Sequence, residues 1–144
     1  MAATAPLDEE KRIARQFPEE VATGGDLDLV DDICTADVVD HSPLGEIAGR
    51  EDLKAQIRGI RESFEDFTAS VEDIVAEGDT VAMRVHLSGR HVGEFMGVPA
   101  TDRDVEIENM VFTRFEGGQI AERWVQPDML GLMQQVGAVD LPGN

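Results

Sequence analysis

Apolar residues recur along this chain with two different periods, and the change of period divides it. From Asp8 to Ala22 the spacing is helical, with Ile13, Ala14, Phe17 and Val21 on one face. Pro18 falls inside that stretch and predicts a bend or break, because proline has no N–H to give the helix. Gly24-Gly25 end it, and Asp26 is the expected N-cap of a second helix that buries Leu27, Val30 and Ile33. Cys34 continues the same apolar pattern. Asp37 to His41 reads as a short extended piece closed by Ser42-Pro43. Glu51 to Phe64 is the clearest amphipathic helix, with Leu53, Ile57, Ile60 and Phe64 at helical spacing.

Beyond Phe64 the period shortens to two. Phe67, Ala69 and Val71 alternate with polar residues up to a Gly78-Asp79 turn, and Val81, Met83, Val85 and Leu87 line one face of a strand from Thr80 to His91. A loop from Gly93 to Arg103 follows. Asp104 to Phe115 and Gln119 to Gln126 form a hairpin through Glu116-Gly117-Gly118, and Met129 to Val136 is a last short helix. Strands in succession joined by tight turns predict an antiparallel sheet, and helices grouped around it make an α+β fold. A strongly bent sheet wrapped around the long helix would form a cone with an open mouth. One domain is expected over residues 1–144, with a core from about 8 to 137 and loose ends.

Charge narrows the partners. Thirty acidic residues against twelve basic ones give a formal net charge of -18, which repels nucleic acid and anionic membrane surfaces, so neither is expected as a partner. Such self-repulsion is screened when the Debye length falls to roughly 3 Å at 1 M salt, and a salt-rich cytoplasm, as in a halophile, is the expected setting. No apolar run approaches the roughly 18 residues of a membrane span, and the first residues lack the basic and apolar regions of a signal peptide. Cys34 is the single cysteine, which excludes an intrachain disulfide and a thiolate metal cluster.

Three stretches, RQFPEEVATGGDLDLVDDICTADVVDHSP, RHVGEFMGVPATDRDVEI and RFEGGQIAERWVQPDMLGLMQQVG, resemble in their order and spacing the SnoaL-like polyketide cyclases, a family of the wider NTF2-like (cone-shaped α+β) group. The resemblance runs from about Lys11 to Gly137. It implies ring closure by an intramolecular aldol reaction without metal or organic cofactor, an aspartate in the pocket exchanging the proton, and a homodimer paired through the sheet. Carried over residue by residue, the catalytic aspartate of that family falls on Val125, its pocket histidine on Val111, and its pocket asparagine on Asp40. Valine transfers no proton.

The remaining polar residues therefore become the candidates. Asp40 and His41 adjoin, and in a regular strand they point to opposite faces; either is a candidate base, His41 being able to act near pH 7 unaided. Asn109 shares a strand face with Val105, Ile107, Val111 and Thr113, and either holds a ligand oxygen or bridges strands. Arg123, on the face of Val125, either binds a ligand carboxylate or closes an ion pair. Asp128 is a ligand-binding candidate or the N-cap of the last helix. Trp124 points away, toward a helix or a partner subunit. His86 is expected on the outer sheet face, and His91 at a pocket mouth or in a solvated loop. No metal-ligand spacing appears. The expected function is a cofactor-free cyclase, isomerase or lyase acting by proton transfer on an apolar carbonyl compound; a non-catalytic small-molecule binding module and a dimerisation domain with a filled cone are the alternatives.

Overall fold

The computed structural model describes residues 6–140, so the expected loose start and the last four residues of the tail lie outside the described residues. Helix α1 (Pro6–Gln16) passes directly into a π-helical segment, Phe17–Thr23, and a turn leads to α2 (Leu29–Ile33). Next come β1 (Cys34–Ser42), β2 (Gly45–Ala48), α3 (Arg50–Ser63), β3 (Phe64–Glu77), β4 (Thr80–His91), β5 (Asp104–Glu116), β6 (Gln119–Pro127) and α4 (Met129–Gln135). Among the described residues six strands form one sheet, in the order β2-β1-β6-β5-β4-β3.

Pro18 acts as its chemistry requires. It has no N–H to offer the α ladder, and the helix widens to π geometry there instead of stopping. Thr23 pins the segment: its hydroxyl donates to the Pro18 carbonyl at 2.8 Å and accepts from the Ala69 N–H of β3 at 2.7 Å. Phe17, Pro18 and Val21 are thereby buried against the sheet. The second helix is shorter than expected and starts later, with Asp28 rather than Asp26 at its N-cap. Asp26 sits in the preceding turn, its N–H on the Glu20 carbonyl at 3.1 Å. Cys34 belongs to β1, not to that helix, and is buried.

Four of the five strand pairings are antiparallel, and the tight turns behave as read. Gly117 and Gly118 both have positive φ, 57° and 84°, the requirement of a two-residue type I′ hairpin. The expectation of a wholly antiparallel sheet is corrected at one place: β1 lies parallel to β6. Those strands are far apart in sequence, so no turn announces their direction. Strand β2, which folds back on β1 as an edge, is the other element the pattern missed; Gly45–Ala48 carries a single large apolar residue, Ile47. Register shifts in β3, in the β1–β6 ladder and between β5 and β6 mark irregularities that bend the sheet. Its concave face receives Leu53 and Ile57 of α3, packed with Val81, Met83, Val85 and Val111. A second cluster, of Phe64, Val105, Ile107, Leu132 and Val136, lies under α4. Among the described residues no helix is long and apolar enough to cross a membrane.

Candidate functional site

The parallel ladder makes the site. Asp40 of β1 and Arg123 of β6 are direct partners in it, and Thr113 of β5 faces Arg123 from the other side. Both side chains turn into the concave face, where Arg123 Nη1 donates to Asp40 Oδ2 at 2.6 Å. The pair is withdrawn from solvent, with side-chain exposures of 9% and 4%. Phe17 of the π-helical segment covers the guanidinium, its ring centroid 3.7 Å from Cζ, a geometry favoured by the negative face of the aromatic ring. Arg123 is thus held by a carboxylate on one side and a ring on another.

Two strand positions from Val111 lies Asn109, buried at the same face. Asn109 Oδ1, Arg123 Nε and Thr113 Oγ1 are all buried without a hydrogen-bond partner. Unpaired groups of this kind cost about 1–3 kcal/mol each, and for Asn109 and Arg123, which border the cavity, a ligand's hydroxyl and oxygen would relieve that cost. That cavity measures about 130 Å³ and is bordered by Asp40, Asn109 and Arg123, with Leu53, Ile57 and Val85 among its apolar walls. Val111 and Val125 are direct cross-strand partners and both line it. A second chamber of about 90 Å³ lies toward α4 and is apolar except for Ser88.

The structure separates the two residues that adjoin in sequence. Asp40 enters the cavity, whereas His41 lies on the convex face, its Nε2 2.7 Å from Glu122 and its Nδ1 3.3 Å from Glu46, with its ring stacked on Trp124. His41 and Arg114 hold the Glu122 carboxyl below the usual carboxylate value, against partial desolvation. His41 therefore does not line the cavity. Asp128 does not line it either: it is exposed and caps α4, accepting from the Gly131 N–H at 2.9 Å. His86 is on the outer face near Glu106. His91 is neither at a mouth nor in a solvated loop but fully buried, with Nδ1 2.9 Å from Thr101 Oγ1 and its ring stacked on Phe64. Burial pushes the Cys34 thiol up to about 11, so it is no thiolate nucleophile near neutrality.

Three cavity residues were not singled out from the sequence. Gln56 interrupts the apolar stripe of α3 between Leu53 and Ile60, a polar residue on a buried face, and this was a legible signal. Phe17 reads in the sequence as a helix-packing residue, and nothing local announces its guanidinium partner. Leu44, in the β1–β2 turn, borders both chambers and is itself exposed.

A bent open sheet closed by helices over a polar-floored apolar cavity defines a pocket domain of the NTF2-like cone type. Residues 12–136 match the SnoaL-like polyketide cyclases, and the chain belongs to that family. Aklanonic acid methyl ester cyclase DnrD of Streptomyces peucetius is 34% identical over 101 residues, which cover 69% of this chain and 68% of that protein. Nogalonic acid methyl ester cyclase of Streptomyces nogalater is 30% identical over 117 residues, covering 78% of this chain and 87% of its own. The solved structure of IdmH from Streptomyces antibioticus is similar with a TM-score of 0.76 and 32% identity, over 92% of this chain and 99% of that one.

Proposed function

We propose that this chain is a cofactor-free enzyme of the cyclase, isomerase or lyase kind, moving a proton on an apolar carbonyl compound with Asp40 as the base. The observation that carries the reading is the burial of Asp40, Arg123 and Asn109 together against an apolar cavity, with Arg123 Nε and Asn109 Oδ1 unpartnered. Asp40 takes the proton from carbon next to the carbonyl, and the enolate oxygen is held by N–H groups of Arg123 and of the Asn109 amide, whose Oδ1 is left to accept from a ligand hydroxyl. The charge arithmetic favours this division of labour. As Asp40 becomes neutral, Arg123 exchanges one anionic partner for another, and no buried charge is left alone at any stage. In a ring closure the enolate carbon adds to a second carbonyl of the same molecule, and the new alkoxide recovers the proton from Asp40, so the step is redox-neutral. The names of the relatives, cyclases of polyketide methyl esters, support a substrate with two carbonyl groups.

The second reading, a module that binds a carbonyl compound without turning it over, is favoured by the apolar pair Val125 and Val111 facing each other at the cavity wall, the positions on which the resemblance puts the family's acid and histidine. Proton NMR of 2-tetralone in D2O separates the two. An enzyme washes deuterium into the carbon next to the carbonyl faster than buffer does. Ligand-induced shifts with no deuterium uptake would leave the binding module and remove the enzyme.

A further inference from the structure

The two chambers are not independent. Leu44, Ile60, Phe67, Leu87 and Pro127 line both, so the apolar space continues from the polar floor toward α4. The sheet supplies a ruler. Asn109, Ile107 and Val105 are successive inward positions on β5, partnered by Val85, Leu87 and Gly89 of β4. Two residues of strand advance about 7 Å, so the outer chamber begins about 7 Å from Asn109 and reaches about 14 Å from it. Size matters as well. The inner chamber, about 130 Å³, is close to the 150 Å³ cavity that holds one benzene ring. Both fall short of the several hundred Å³ of pockets that swallow drug-sized molecules whole.

The roof of the outer chamber is built to stay in place. Helix α4 contributes Met129 and Leu132 to it. Gln135 at the end of that helix grips β5 like an extra strand residue, its amide accepting from the Glu106 N–H and donating to the Glu106 carbonyl, both at 2.8 Å. Arg103 adds a bond to the Gln135 carbonyl at 3.1 Å. A helix tied down in this way over an apolar chamber defines a subsite with a fixed wall.

We infer that the outer chamber is a subsite for an apolar arm of the same ligand whose carbonyl lies against Arg123 and Asn109, the head being no larger than about one ring. The inference rests on the proposed carbonyl-binding role of the inner chamber and extends it to substrate shape. Ile107 and Leu132 are then specificity-determining residues, because Ile107 stands where the outer chamber begins and Leu132 belongs to its helical roof.

The test is titration of the folded protein with 2-butanone, 2-hexanone and 2-octanone, following the methyl resonances of Ile107, Leu132 and Val111. Each methylene entering the outer chamber should tighten binding roughly fourfold. The Ile107 and Leu132 methyls should respond to the longer ketones and not to 2-butanone. Leu132→Phe, which fills the chamber, should abolish the gain with length and leave 2-butanone binding unchanged; Ile107→Phe is the second variant if that one folds poorly. Affinity that does not rise with length, or rises equally in the filled variants, overturns the subsite while 2-butanone shifts at Val111 keep the carbonyl reading. A protein that ignores every ketone yet shifts Ile107 and Leu132 with benzene overturns the carbonyl reading, and with it the shared-ligand inference.

Discussion

Arg123 is the residue on which the cavity depends, since it joins the Asp40 carboxylate and the Phe17 ring in one place. Removing it strands a buried carboxylate. Arg123→Met is expected to lower stability by about 3–5 kcal/mol, and adding Asp40→Leu should recover much of that loss, because an apolar pair of similar volume often replaces a buried ion pair at little cost. Equal losses in the single and double variants, by urea denaturation, would contradict it. Cys34 gives a second prediction at this scale. Its folded value of about 11 lies above the ordinary 9.0, so between those values the unfolded chain releases a proton that the native state keeps. Stability should therefore fall by about 2–3 kcal/mol as pH rises through that window. Cys34→Ala should remove that part of the decline. The polar candidates were legible because each stood among apolar neighbours, yet the direction of Asp40 was not. Val38 and Val39 are both apolar, so the alternation of β1 does not declare which parity faces inward; the structure buries Val38 and Asp40 and turns His41 out. The burial of His91 has a signal in the sequence, for it shares the inward parity of Val81, Met83, Val85 and Leu87.

At the scale of elements, alternation made β3 to β6 readable, and turn glycines in the short β3–β4 and β5–β6 connections fixed the direction of those two pairs. The β1–β6 pairing was not readable, since it joins strands separated by five other elements and no turn fixes its direction. It is also the pairing that builds the Asp40–Arg123 pair, so the fold was easier to read than the site. Helix α4 is too short to hold itself, and its position comes from the Asp128 cap and the Gln135 grip on Glu106. Gly131 belongs to this arrangement, for a Cβ there would collide with the Asp128 carboxylate. Gln135→Ala should cost about 1–2 kcal/mol and raise amide exchange in residues 129–136 without altering β3 or β4. Unchanged exchange over α4 would show that packing of Leu132 and Val136 suffices.

On the scale of the whole molecule, charge and the convex face act against each other. Met110, Phe112 and Trp124 stand exposed on adjacent strands, at 49%, 54% and 39%, and the register places Phe112 between Ala82 and Trp124 in one row. We propose that a second copy covers this face, Phe112 at its centre. The net charge of -18 on each chain opposes that association until salt screens it. Light scattering should find a dimer at 2 M KCl and a monomer at 50 mM, with Phe112→Glu monomeric in both, and the unfolding midpoint should rise with salt. A monomer at 2 M KCl, or a midpoint indifferent to salt, would contradict the salt-adapted dimer.

The central claim is that proton transfer belongs to Asp40 inside the cone and not to His41 on its back. Deuterium uptake by 2-tetralone, measured side by side for the unmodified protein, Asp40→Asn and His41→Gln, tests it most directly. The expected result is uptake above buffer, lowered at least about a hundredfold in Asp40→Asn and nearly unchanged in His41→Gln. Uptake that survives Asp40→Asn and disappears with His41→Gln would contradict the account.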